Sequence, residues 1–292
     1  MKEHFNKGLL LTSLGSFWWG FIGVIYFQYV SFIGSVELIV HRCLWTSMML
    51  LLTTTIFSKW TLFKSIIKNK KLLFGLFVSG FLIFINWAVW IYAVATERII
   101  DASFGYFIMP IISVLLGYIF FREKLNTKRT FSILLVLVSI LILIILNLES
   151  LPWVGLIVAF SWAFYNLIRK KINVDTDVGI LIESLYILPF ALIIFYFIVK
   201  NGSNDFSFSN PGLSFFLILA GPMTVIPLFL YVRGVELIGL GPTGMIFYIT
   251  PTLQFILGFF YYNEDFSLVK FVSFIIIWIA VVIYLKDLYE MH

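Results

Sequence analysis

Apolar residues in this chain come in runs of about twenty, separated by short polar stretches, and the rhythm continues from one end to the other. A helix rises about 1.5 Å per residue and the hydrocarbon core of a bilayer is about 30 Å thick, so one such run is the length of one crossing. Ten stretches qualify: Leu9–Val30, Val36–Phe57, Leu72–Ala95, Ala102–Phe121, Arg129–Leu146, Pro152–Arg169, Val178–Val199, Gly212–Val232, Pro242–Tyr262 and Leu268–Leu285. The pattern predicts an all-α polytopic membrane protein with ten transmembrane helices. The first run exceeds the apolar stretch of a signal peptide, about 7–15 residues, and has no small-residue cleavage site after it, so it is expected to stay as the first helix.

The polar stretches carry a second pattern. Lys2 and Lys7, the cluster Lys59, Lys64, Lys68, Lys70 and Lys71, then Arg122, Lys124, Lys128 and Arg129, then Arg169, Lys170 and Lys171, and finally Arg233 and Lys286 fall on alternate connections. The intervening connections hold only Arg98, Lys200 and Lys270. Cytoplasmic loops carry the excess of Lys and Arg, which predicts both termini in the cytoplasm.

Composition agrees with a bilayer as the solvent. Hydrophobic residues make up 61% of the chain and charged ones 12%, against about 25% charged in a soluble domain that must cover its outside. The net charge of +5 is spread over short connections rather than one soluble face, so nucleic acid is not an expected partner. A single cysteine, Cys43, excludes a disulfide framework and a thiolate metal site. No phosphate-binding loop, metalloprotease motif or nucleophile elbow is present, and neither a metal nor any other cofactor is expected.

The halves repeat. A shift of 141 residues lays Ile108, Pro110, Leu116, Gly117, Glu123, Ser132 and Ile142 on Ile249, Pro251, Leu257, Gly258, Glu264, Ser273 and Ile283 without a gap. Residues 1–147 then form a first five-helix unit and 148–292 a second. Five is odd, so the second unit is inverted in the membrane, with Glu123 and Glu264 on opposite sides. Inverted repeats around a midplane site are the architecture of many secondary transporters.

Polar groups inside apolar spans are the candidate chemistry, since each costs about 2.5–3.5 kcal/mol on insertion scales unless it is partnered or hydrated. Glu37, His41 and Arg42 lie in one helix, with Glu37 and His41 on one face. Glu183 stands near the place of Glu37 in the second unit if the register slips by five residues. These groups read either as cavity carboxylates and cations or as interfacial caps. His41 is the candidate carrier of a coupled proton, the competing reading being a hydrogen-bonded structural residue. Asn86 and Trp90 share a face that suits a ligand pocket, while Trp87 reads equally well as facing lipid. Tyr106, Tyr248, Gln254, Ser161 and Tyr165 are further candidate lining groups. Pro110 and Pro251 interrupt equivalent spans and are candidate hinges, helix packing being the alternative. Arg233 and Glu236 either line the path or cap a helix.

Taken in order, the runs VELIVHR, INWAVWIYAV, ASFGYFIMP, REKL, LPWVGLIVAFSWAFYNLIRKK, LAGPMTVIPL and YITPTLQFILG resemble the EamA branch of the drug/metabolite transporter superfamily, and within it the RarD group, over nearly the whole chain. The resemblance implies a ten-helix fold of two inverted repeats, a bacterial inner-membrane location and a permease that does not hydrolyse ATP. Residues matching the family pattern are Glu37, His41, Arg42, Asn86, Trp87, Tyr106, Pro110, Ser161, Tyr165, Glu183 and Pro251. The expected function is alternating-access transport of a small polar or amphipathic metabolite or drug, with the lipid bilayer, the substrate and a coupling proton as partners. The rivals are an intramembrane enzyme with Glu37 and His41 as acid and base, and a membrane sensor without flux.

Overall fold

The computed structural model describes residues 2–95, 99–147, 153–260 and 268–290. Among them every regular element is helical. The first pass is α1 (Lys2–Phe17), a π-helical turn (Trp18–Ile22) and α2 (Gly23–Tyr29) in one rod. Then follow α3 (Ser35–Ile56), a short α4 (Trp60–Lys68), α5 (Lys70–Ala95), α6 (Ile99–Phe121) and α7 (Thr127–Asn147). The second half holds α8 (Trp153–Ile172), α9 (Thr176–Lys200), α10 (Pro211–Ile238), a ninth pass split into α11 (Leu240–Ile246) and α12 (Ile249–Phe260), and α13 (Leu268–Glu290). Seven of these passes are long and apolar enough on their own to cross a bilayer. α6, α8 and the α11–α12 pair complete ten. α8 carries Arg169, Lys170 and Lys171 in its last turn, which lowers its hydropathy without shortening it.

Neighbour relations repeat between the halves. α1 packs on α10 as α8 packs on α5, and α3 packs on α10 as α9 packs on α5. α8 lies along α6 as the first pass lies along α12. The remaining large contacts, α3 with α9, α6 with α11 and α7 with α13, join equivalent helices. This is the pairing expected of a pseudo-twofold axis, and five passes per half put that axis in the membrane plane. Side chains 141 apart meet on it. The Tyr106 and Phe247 rings lie 5.8 Å apart, and the Tyr248 hydroxyl donates to the Phe107 carbonyl at 2.8 Å.

Close helix contact in lipid needs small residues, because lipid tails are as apolar as leucine and only backbone proximity gains dispersion energy. Gly80 and Gly221, again 141 apart, show this. A Cβ on Gly221 would lie 2.6 Å from the Trp45 carbonyl oxygen, and one on Gly80 would lie 3.1 Å from the Glu183 carbonyl oxygen. Large apolar side chains such as Leu141 and Ile145 on α7 and Phe190 and Ile193 on α9 are left facing outward, where acyl chains cover them.

Three local features differ from the pattern-based expectation. The lysine-rich connection after α3 forms α4, which sinks Ile66 into an apolar cluster with Leu76, Val174, Val178 and Ile182 and leaves its lysines outside. α6 runs unbroken through Pro110. Its counterpart breaks at Phe247–Tyr248, just before Pro251, which then sits in the first turn of α12 where a missing N–H costs little. Glu264 and Arg98 lie outside the described residues.

Candidate functional site

The Phe5 and Tyr289 rings lie 6.4 Å apart, so the first and last described helices begin and finish at one end of the bundle, called here the terminal end, with the far end opposite. Between the halves is a cavity of about 70 Å³. Its walls are aromatic, formed by Trp19, Phe27, Trp87, Trp90, Trp162 and Phe247, and its polar groups are Arg42, Asn86, Tyr106, Thr250 and Gln254. Each lining residue lies near the middle of its helix or toward the far end. Arg42 is about two turns in from the start of α3, and Trp90 is near the end of α5.

The helices hold these groups through specific contacts. Arg42 is buried, donates from Nε to the Thr224 hydroxyl at 2.9 Å, and sets its guanidinium carbon 4.5 Å from the Trp87 ring and 5.2 Å from that of Phe27. Guanidinium stacking on ring faces is favourable electrostatically and keeps the group flat. Asn86 donates from Nδ2 to the Val158 carbonyl at 2.9 Å and to the Ser161 hydroxyl at 3.1 Å, which ties α5 to α8. The cavity floor is a ring cluster. Trp19 meets Trp162 edge to face at 5.0 Å, Trp162 lies 5.4 Å from Tyr231, and Tyr231 lies 5.5 Å from Phe247.

Beyond this floor, toward the terminal end, the halves are clasped by charge. Lys59 donates to Asp175 at 3.0 Å and Asp177 at 2.6 Å. Burial pulls the Lys59 pKa down, and its hydrogen bonds to the two carboxylates outweigh that and hold it above the ordinary lysine value. Glu123, after α6, accepts the backbone N–H groups of Leu240 and Gly241 at 2.8 Å each, with Lys170 at 3.4 Å. Gly239, beside it, has φ 94°, a left-handed conformation that suits glycine at the junction of α10 and α11. Arg169 is fully enclosed. It donates to the Thr176 carbonyl at 3.0 Å and lies 3.5 Å from Glu183 and 4.0 Å from Glu236. Glu183 also accepts from the hydroxyls of Ser79 and Tyr165.

The structure therefore divides the residues singled out from the sequence. Arg42, Asn86, Trp90, Tyr106 and Gln254 share the cavity. Trp87 faces it as well, not lipid, because Arg42 stacks on it. Ser161 stands behind Asn86 as its acceptor. Glu37 and His41 do not reach the cavity. Glu37 sits at the far end of α3 and accepts the N–H groups of Asp205 and Phe206 at 2.9 and 3.2 Å, fixing the connection between α9 and α10. His41 lies 3.4 Å from Glu37, accepts from the Trp45 indole at Nδ1 and packs against the Phe195 and Phe206 rings. Glu183 and Tyr165 belong to the clasp below the floor, and Tyr248 is a helix tie on the axis. Pro110 packs under Gly244 of α11, and Pro251 sits in the first turn of α12. Arg233 pairs with Glu236 at 2.7 Å at the terminal end. The register also changes. The 141-residue shift that carries Gly80 to Gly221 carries Arg42, not Glu37, to Glu183, and both stand about two turns into their helices.

Sequence reasoning passed over Trp19 and Trp162. Their signal was the likeness of SFWWGF and FSWAFY, which lie within a few residues of the 141-residue register, hidden by an aromatic content of 19%. Among the described residues no cluster of His, Cys, Asp and Glu could hold a metal ion.

The EamA-like transporter family model matches twice, at residues 6–145 and 151–286, one match per half. The chain belongs to the EamA-like transporter family. Within that family it is 34% identical to Protein RarD of Escherichia coli over 97% of this chain and 95% of the relative. It is 31% identical to a protein of Vibrio cholerae named as an uncharacterized transporter, over 98% and 94% of the two chains. A protein of known crystal structure shares the fold at a TM-score of 0.72 with 11% identity, covering 96% of this chain and 97% of that one. The EamA-like fold accounts for a multi-pass membrane protein with two copies of one unit, and the family's relatives carry transporter names.

Proposed function

We propose that this protein is a secondary transporter that moves a small polar or amphipathic metabolite across the bacterial inner membrane by alternating access. The observation that carries the reading is the unequal state of two equivalent halves: a polar, ring-walled cavity toward the far end and, in the equivalent place below the floor, a charge clasp that closes the terminal end. Exchange of the two units' conformations would open the second site and close the first. The basic connections support a cytoplasmic terminal end, and on that reading the cavity faces outward in this conformation. Units 1–147 and 148–292 are the bodies that move, with Pro110 and Pro251 as their hinges. Proton coupling would fall to Glu183 rather than His41, because Glu183 sits at the place equivalent to Arg42 and His41 packs outside the path.

An enzymatic role for Glu37 and His41 finds no support in their surroundings. Both are committed to structural hydrogen bonds away from the cavity. The decisive measurement is uptake into liposomes holding the purified protein, using a panel of amino acids, carboxylates, amides and quaternary amines. Accumulation of at least one compound above that in empty vesicles is expected. Equal uptake in both across the panel overturns the proposal.

A further inference from the structure

We infer that the cavity takes the carboxylate of an organic anion at Arg42, with the anion's flat apolar body extending along the aromatic walls toward the far end, since about 70 Å³ holds little more than the carboxylate itself. The inference rests on the transport reading for its biological use, while the binding itself is a separate matter.

Three arginines are buried among the described residues, and two of them have a carboxylate partner. Arg129 meets Asp287 at 2.8 Å and Arg169 meets Glu183 at 3.5 Å. Arg42 has none. Among the described residues no Asp or Glu lines the cavity, and Arg42 is the one charged group that does. A buried cation without a counter-ion is costly in a membrane, and such a residue is retained where something else neutralises it. The geometry shows where that partner would sit. Thr224 takes Nε, the Trp87 and Phe27 rings flank the group, and the two terminal amino groups have no acceptor among the described residues. A pair of N–H donors on the edge of a planar guanidinium matches the two oxygens of a carboxylate.

The remaining walls describe the rest of the ligand. Trp90 and Trp162 both line the cavity and offer flat apolar surface. Asn86 has spent its amide hydrogens on Val158 and Ser161 and keeps its carbonyl oxygen without a donor among the described residues, and Gln254 has no protein partner there. Each can serve one polar substituent. A cation is disfavoured, because it would share the cavity with the Arg42 charge and no Asp or Glu lines it among the described residues.

The test uses the full-length protein in lipid nanodiscs and calorimetric titration with matched probes: indole-3-acetate, indole-3-acetamide and tryptamine, then benzoate with benzamide and cinnamate with cinnamamide. At least one carboxylate is expected to bind about tenfold or more tightly than its own amide, and tryptamine is expected not to bind. Arg42→Gln is expected to erase the difference between acid and amide. Arg42→Lys, which keeps the charge, retains part of it and shows that the site still folds. If no carboxylate in the panel binds more tightly than its amide, or if the preference survives in Arg42→Gln, the inference is wrong. Uptake in liposomes separates it from the transport reading. A carboxylate that binds through Arg42 while nothing in the panel is transported sinks the transporter and leaves the anion site, and transport confined to amides or amines does the reverse.

Discussion

Glu37 and Arg42 are charged residues about one and a half turns apart on one helix, and their neighbours give them different work. Glu37 ends its reach on two backbone N–H groups of the α9–α10 connection, whereas Arg42 keeps its donors for the cavity. Glu37→Gln retains one acceptor and should lower the thermal midpoint of the purified protein by a few degrees, since a lost charged hydrogen bond is worth about 1.5–3 kcal/mol. Uptake should stay within about twofold of the unaltered protein, and a collapse of uptake at unchanged stability would return Glu37 to the pathway. The sequence could show that these residues lie inside apolar spans, because the cost of a charge in lipid is a local fact. It could not show which of them share a void, because that depends on helices far away in the chain. Asn86 and Trp90 were legible as a pair because they recur on one helical face. Trp19 and Trp162 were not, because in a chain this rich in rings an indole carries little information until its neighbour is known.

At the scale of helices, the spans and their repetition were readable because a bilayer leaves few alternatives to a run of apolar residues of fixed length. The connection that became α4 was misjudged for the opposite reason. Its lysines mark a polar stretch, and only the packing of Ile66 against Val174 and Val178 makes a helix of it. The equivalent glycines give a prediction that separates the two halves. At Gly221 an added methyl meets a backbone carbonyl that cannot yield, so Gly221→Ala should cost about 1–3 kcal/mol in thermal or denaturant unfolding. At Gly80 the gap is half an ångström wider, and the same change should cost less than about 1 kcal/mol. Equal losses at both sites would show that the two contacts do not differ as described.

For the whole molecule, the single cysteine provides a clean background, since Cys43 is only 3% exposed. With a maleimide that cannot cross the membrane, Val24→Cys in the cavity wall should label at least about tenfold faster than Ser79→Cys beside Glu183, because the latter is reached only after the clasp opens. Adding Lys59→Ala should slow labelling at Val24→Cys by reagent on the far side and speed labelling at Ser79→Cys by reagent on the terminal side. Unchanged rates would mean that Lys59 holds nothing shut. The Lys59 contact has a further consequence. The positions that answer Asp175 and Asp177 in the first half are Gly34 and Val36, so the far end has no copy of this pair. Under the alternating-access proposal, two poses that differ by an unmatched ion pair would not be equally occupied when empty. Titrations from the two faces of one vesicle would then give different apparent half-saturation values, each scaled by the share of molecules already turned that way, although the ligand's equilibrium across the membrane is the same from either side.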